Sequence, residues 1–124
     1  MNNVKTEILY VEDNPHNMLL IQRLLKAEGF MVHGAENADE ALDFVNKQIP
    51  ALILMDMNLP FVDGFTITKK MRQMPALANI PIIALTANVL KGDKERIMAA
   101  GCDGYIQKPI DIDRLPKQIR SFLK

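Results

Sequence analysis

A chain of 124 residues, 48% hydrophobic and 24% charged, has the size and balance of a globular protein, and one domain spanning 1–124 is expected with no length for a separate effector module. Fifteen basic and fifteen acidic residues cancel, which argues against a partner held by bulk electrostatics, such as nucleic acid or an anionic membrane. The lone Cys102 cannot form an internal disulfide and no His/Cys cluster has zinc-ligand spacing, so a reducing compartment, the cytoplasm, is expected.

Met1 to Lys5 is short and polar, without the apolar region of a signal peptide, and no apolar run reaches membrane length, so neither export nor membrane insertion is expected. Short apolar runs then alternate with segments of helical period, the pattern of a parallel sheet covered on both faces. The runs Ile8 to Val11, Met31 to Ala35, Ala51 to Met55, Ile80 to Thr86 and Gly104 to Ile106 predict five strands. Asn14 followed by Pro15 predicts the start of the first helix, and Gly29 after Glu28 its end. A second helix is predicted from about Ala38 to Gln48, with Ala41, Leu42 and Val45 on one face, ahead of Pro50. A third follows Gly64, and a fourth runs from about Val89 to Ala100 before Gly101. The fifth carries Ile112, Leu115, Ile119 and Phe122 on one stripe expected to face the sheet. Pro116 is tolerable only in the first turn of that helix, which makes Asp113 the expected N-cap.

In a doubly wound parallel sheet, the loops beyond the carboxyl ends of the strands form the binding crevice. Glu12 and Asp13 follow the first strand, Asp56, Met57 and Asn58 end the third, Thr86 ends the fourth, and Lys108-Pro109 follow the fifth. Three acids, a hydroxyl and an amine therefore meet on one edge. Two unit charges about 4 Å apart repel by roughly 4 kcal/mol at an effective dielectric near 20, so such a cluster calls for positive charge. An oxygen-rich, water-accessible site suits Mg²⁺, and Lys108 supplies the remaining charge. Asp56, at the end of what should be the most buried strand, is the expected nucleophile, with Glu12 and Asp13 holding the metal. A carboxylate attacking phosphorus needs its developing charge neutralised more than it needs a proton moved, which gives Lys108 and the Thr86 hydroxyl their supporting roles. Taken singly, each has a plainer reading: Asp13 or Thr86 as a helix cap, Glu12 as a counter-charge to Lys5, Lys108 as a surface lysine. Pro60 and Gly64 read as turn residues ahead of the third helix, Cys102 as packing, and His16 and His33 have no partner at ligand or triad spacing.

The segments Val11-Glu12-Asp13-Asn14, Leu54-Met55-Asp56-Met57-Asn58-Leu59-Pro60 with Asp63-Gly64, Leu85-Thr86-Ala87, and Gly101-Cys102-Asp103-Gly104-Tyr105-Ile106 with Lys108-Pro109 occur in an order and spacing that resemble the response-regulator receiver family, from about Glu7 to Phe122. The resemblance implies a flavodoxin-like (βα)5 three-layer α/β sandwich with parallel strand order 2-1-3-4-5. It implies that Asp56 is the phosphoacceptor, that Asp13, Asp56 and the main-chain carbonyl of Asn58 ligate Mg²⁺ (or Mn²⁺), and that Glu12 acts partly through water. Lys108 would contact the phosphoryl group, and the Lys108-Pro109 bond would be cis. Thr86 and Tyr105 match the family's switch pair, which alters the surface of helix 4, strand 5 and helix 5 on phosphorylation. The implied donor is a phosphohistidine on a histidine kinase or histidine phosphotransfer protein, and the implied output is contact with a downstream protein target. The chain would be a switch that assists its own phosphorylation and dephosphorylation, not an enzyme acting on other substrates.

Three alternatives keep part of this reading. The segment could belong to a hybrid sensor kinase, although Met1 followed by Asn2-Asn3 favours a natural start. A Mg²⁺-dependent phosphohydrolase with an aspartyl-phosphate intermediate commonly has a second acid two residues after its nucleophile, where this chain has Asn58. A flavodoxin-like nucleotide binder would need a Gly-rich phosphate loop after the first strand, and none is present.

Overall fold

The computed structural model describes residues 5–87 and 91–123. Strands β1 (Thr6–Val11), β2 (Phe30–Ala35), β3 (Leu52–Asp56), β4 (Ile82–Thr86) and β5 (Gly104–Gln107) alternate with helices α1 (Pro15–Ala27), α2 (Ala38–Lys47), α3 (Gly64–Arg72), α4 (Lys91–Ala100) and α5 (Leu115–Phe122). All strand pairings are parallel and the order is β2-β1-β3-β4-β5, as expected. The predicted start of α4 at Val89 falls outside the described residues.

The strands are apolar on both faces because both faces are covered. Ile8, Leu52, Leu54, Ile83 and Leu85 pack with Ile21 and Leu25 of α1 and Leu115 and Ile119 of α5. Leu9, Val11, Ile53, Met55, Ile82 and Ala84 pack on the other face with α2, α3 and α4 through Ala41, Val45, Ile67, Met71 and Ile97. Every residue of β3 and β4 is buried, which explains why these runs show no alternation in sequence. Burying each large side chain contributes about 1.5–3 kcal/mol, so the strand ends that carry the polar residues rest on a rigid platform.

Helix boundaries follow their punctuation. Asn14 caps α1 by accepting the His16 and Asn17 N–H groups at 2.9 and 3.0 Å, with Pro15 in the first turn. Gly29 ends it at φ +93°, a backbone region that costs glycine little. Asn37 caps α2 through the Glu40 N–H. The start of α5 differs from expectation: Arg114, not Asp113, occupies the N-cap position. Asp111 is the reason. Its carboxylate accepts the Asp113 N–H at 3.0 Å and its carbonyl accepts the Arg114 and Leu115 N–H groups at 3.1 and 3.0 Å, so Asp113 is consumed in a turn before the helix begins. Pro116 still falls in the first turn. Ile112 lies in that preceding turn and is exposed, leaving Leu115, Ile119 and Phe122 as the inward stripe. A side chain at Gly104 would collide with the Phe122 ring, 2.7 Å away, so this glycine lets α5 settle on β5.

Opposite the predicted crevice, at the amino edge of the sheet, Arg72 ties four segments together. Its guanidinium donates to the carbonyls of Gly101 (2.7 Å), Leu77 (2.7 Å) and Ile80 (2.9 Å) and pairs with Asp103 at 2.5 Å. Asp103 also accepts the Ile82 N–H at 2.9 Å. Cys102, next in the chain, is buried in the core, and burial pushes its thiol up to about 11.

Candidate phosphoacceptor and metal site

The carboxyl edge of the sheet gathers the predicted polar residues. One oxygen from each of Glu12, Asp13 and Asp56 can be chosen so that all lie within 4.8 Å of one another. Asp56 is the last residue of β3, only 2% exposed, because β1 and β4 flank it and Met57 continues the ladder with an N–H bond to the Leu85 carbonyl at 3.0 Å. The Lys108 ammonium donates to Asp56 Oδ1 at 3.0 Å, and the Asn58 N–H donates to the same oxygen at 3.0 Å. Lys108 reaches this position from the loop after β5. The Lys108 N–H donates to the Thr86 carbonyl at 2.8 Å, and the Lys108-Pro109 bond is cis, as the resemblance implied.

Glu12 is buried beside Asp56, whereas Asp13 is exposed. Burial raises the Glu12 carboxyl above the ordinary carboxylate range, and the hydrogen-bonding, negatively charged Asp56 raises it further. Two contacts act the other way: the Tyr10 hydroxyl donates to Glu12 Oε1 at 2.9 Å and the Asn14 N–H donates to Oε2 at 3.3 Å. Tyr10 pays in turn, its phenol pushed well above its usual value by burial first and then by the Glu12 charge. The cluster thus holds more negative charge than Lys108 can neutralise. An all-oxygen donor set with one solvent-facing member and a surplus of negative charge fits a hard divalent cation such as Mg²⁺.

Thr86 ends β4 and is buried, while Tyr105 on β5 is half-buried against the core under α4. Tyr105 pairs with Ala84, two residues before Thr86, so both residues belong to one face of the sheet, a pleat apart. The Lys94 ammonium of α4 lies 5.8 Å from the centroid of the Tyr105 ring.

Three features escaped the sequence reading, two of them in the site. Tyr10 shares its strand face with Glu12 by the period of two, a signal present in the sequence. Gly64 is more than a turn residue: a Cβ there would lie 2.5 Å from the Asp56 carbonyl and 2.8 Å from Met57 Cα, so only glycine lets α3 close against the end of β3. Its start is fixed by Asp63, which accepts the Thr66 N–H at 2.9 Å. His33, without a partner at recognisable spacing, has one in space, Glu7 Oε1 at 2.7 Å. That pair joins β1 to β2, and Glu7 stands five residues before Glu12 on β1, away from the crevice. Hydrogen bonds from His33 and Gln48 lower the Glu7 carboxyl.

The sequence profile of the response regulator receiver domain matches residues 8–120. The chain belongs to that family. As a receiver domain it is a component of two-component signalling, a switch and not a conventional enzyme. It is 44% identical over 116 residues to the polar-differentiation response regulator DivK of Brucella anthropi, covering 94% of each chain. Among solved structures, it resembles the receiver domain of a sensor histidine kinase from Pseudomonas aeruginosa (TM-score 0.88, 36% identity, 97% and 98% of the two chains), a structure described with a magnesium ion coordinated in the active-site cleft. It also resembles the chemotaxis protein CheY4 of Vibrio cholerae (TM-score 0.92, 26% identity, 96% and 99%). Among the described residues of this receiver domain, no helix is long and apolar enough to cross a membrane.

Proposed function

We propose that this receiver domain, read as one unit over 1–124, accepts a phosphoryl group on Asp56 from a phosphohistidine of a histidine kinase or histidine phosphotransfer protein, and signals through a changed protein-binding surface. One observation carries the reading: Lys108 is held 3.0 Å from Asp56 Oδ1 inside a cluster of three carboxylates. Glu12, Asp13, Asp56 and the Asn58 main chain would hold Mg²⁺, or Mn²⁺ in its place. Bound there, the ion supplies the positive charge that lets an anionic phosphoryl group approach a carboxylate.

The chain's own residues set up the transfer. Asp56 is fixed at a strand end and gripped at Oδ1 by Lys108 and the Asn58 N–H, which leaves its other oxygen as the nucleophile. That oxygen forms the new O–P bond while the P–N bond of the phosphohistidine breaks and its electron pair stays on the imidazole. Lys108 then offsets charge on the phosphoryl oxygens, and the Thr86 hydroxyl donates to one of them. Repositioning Thr86 leaves space one pleat back, on the face that Tyr105 shares, and the ring can turn inward. The surface of α4, β5 and α5 changes with it. A shift from 1:99 to 99:1 requires about 5.5 kcal/mol of preference for one state, within reach of a new dianion with charge-assisted hydrogen bonds. The same residues would assist hydrolysis of the acyl phosphate. The balanced net charge and the local nature of the site favour a protein target over nucleic acid or a membrane, and a cytoplasmic donor.

Incubation with acetyl phosphate and Mg²⁺ is expected to add one phosphoryl mass, an addition that fails when a chelator is present from the start and in Asp56→Asn. Labelling that persists in Asp56→Asn would refute the assignment.

A further inference from the structure

On the α3 and α4 side of the crevice, a small cleft of about 70 Å³ is lined by Met57, Asn58, Phe65, Thr86, Asp93 and Arg96. Two of these, Asn58 and Thr86, are site residues; Arg96 comes from α4 and reaches the same rim. Its guanidinium carbon stands 4.3 Å from the centroid of the Phe65 ring on α3. A guanidinium on an aromatic face keeps its charge and its donors while losing rotational freedom. The stack therefore places a cation at the mouth of the site, although Arg96 itself stays exposed.

The charge of the crevice gives that cation a role, one that rests on the phosphoacceptor reading. Three carboxylates are balanced by Lys108 and a divalent ion. Phosphorylation replaces the single charge of Asp56 with a group carrying close to two, so the phosphorylated crevice is one positive charge short. Among the described residues lining the cleft, Arg96 is the cation, opposed by Asp93 one turn before it on α4. Lys94, the neighbouring cation on α4, lies over Tyr105 instead.

We propose that Arg96 is a positioning residue for the phosphorylated state: held on Phe65 at the rim beside Asn58 and Thr86, it offsets the added phosphoryl charge and biases α4 toward the site when Asp56 is modified. The uptake of phosphoryl groups and the ordering of the output helix are thereby linked through one side chain. Because Phe65 supports it, the stack and the charge are separable by mutation.

The test uses the full chain with acetyl phosphate at saturating Mg²⁺, and in parallel the rise in melting temperature produced by beryllofluoride, a phosphoryl mimic, as a readout independent of turnover. Arg96→Gln is expected to slow phosphoryl uptake about fivefold, to flatten its dependence on ionic strength and to reduce the beryllofluoride-induced rise, measured from the variant's own unmodified melting temperature. Arg96→Lys should restore most of both. Uptake in Arg96→Gln within twofold of the parent overturns the proposal, as does an Arg96→Lys variant as impaired as Arg96→Gln, which would assign the effect to packing. If the parent takes no phosphoryl group, or Asp56→Asn takes one, the phosphoacceptor reading itself fails; normal Asp56 labelling with no charge effect at position 96 removes only this inference.

Discussion

The two edges of the sheet handle charge in opposite ways. At the amino edge, the Arg72 guanidinium is matched by three carbonyls and the Asp103 carboxylate, so its demand is met by the protein. At the carboxyl edge, Glu12, Asp13 and Asp56 share one ammonium, and Glu12 holds its proton more tightly than a carboxyl in water. A satisfied charge network stabilises the fold; an unsatisfied one stores a preference for whatever ligand completes it. The receiver domain thus meets charge with its own partners at one end of the strands and leaves it in surplus at the other.

Breaking the satisfied edge should have the largest effect on stability. Arg72→Ala takes a donor from three carbonyls and the cation from a half-exposed carboxylate, and is expected to cost about 3 kcal/mol in urea unfolding while leaving Asp56 labelling intact wherever the protein is folded. Completing the unsatisfied edge should act in the other direction. Magnesium at 100 times its dissociation constant is expected to add about 2.7 kcal/mol, and Asp13→Asn should weaken that gain at fixed magnesium; equal stabilisation of both proteins would place the ion elsewhere. A smaller effect is expected from Glu12→Gln, which should stabilise the metal-free protein at neutral pH because the raised carboxyl is held ionised there against its burial and the Asp56 charge.

The pH dependence sharpens the same contrast. The folded-state Glu12 value lies above 4.5, so between the two values the folded chain binds more protons than the unfolded chain. Its contribution to stability therefore falls as pH rises from the ordinary carboxylate value through the raised one, and the loss persists above it. Urea titrations of the metal-free protein across that window should show the decline, and Glu12→Gln should remove it. A decline of equal size in Glu12→Gln would assign the titration to another group.

What could be read from the sequence was what is local or repeats at fixed offset. The five strands, the N-cap at Asn14, the stop at Gly29 and the polar residues just past each strand are all marked within a few positions. Parallel winding then brings those strand ends together, which is why Glu12, Asp56 and Lys108 meet although they lie as much as 96 positions apart, from 12 to 108. The start of α5 was misplaced because two aspartates, Asp111 and Asp113, compete for one role and only the turn geometry selects between them. Arg72 carried no local mark, since its partners are drawn from the two connections that precede β4 and β5. The Gly64 requirement was equally hidden: composition shows a turn glycine, while the reason for it is the backbone of Asp56 lying underneath.

Cys102 gains a use from its position. It is the chain's single thiol, it is sealed in the core beside the Arg72 clamp, and its raised ionisation keeps it unreactive while the fold is closed. Any alkylating reagent must wait for the protein to open, so the rate at which this one sulfur is modified becomes an intrinsic clock for breathing of the amino edge. Read with and without acetyl phosphate, that clock would measure how far a change at the carboxyl edge is felt at the amino edge.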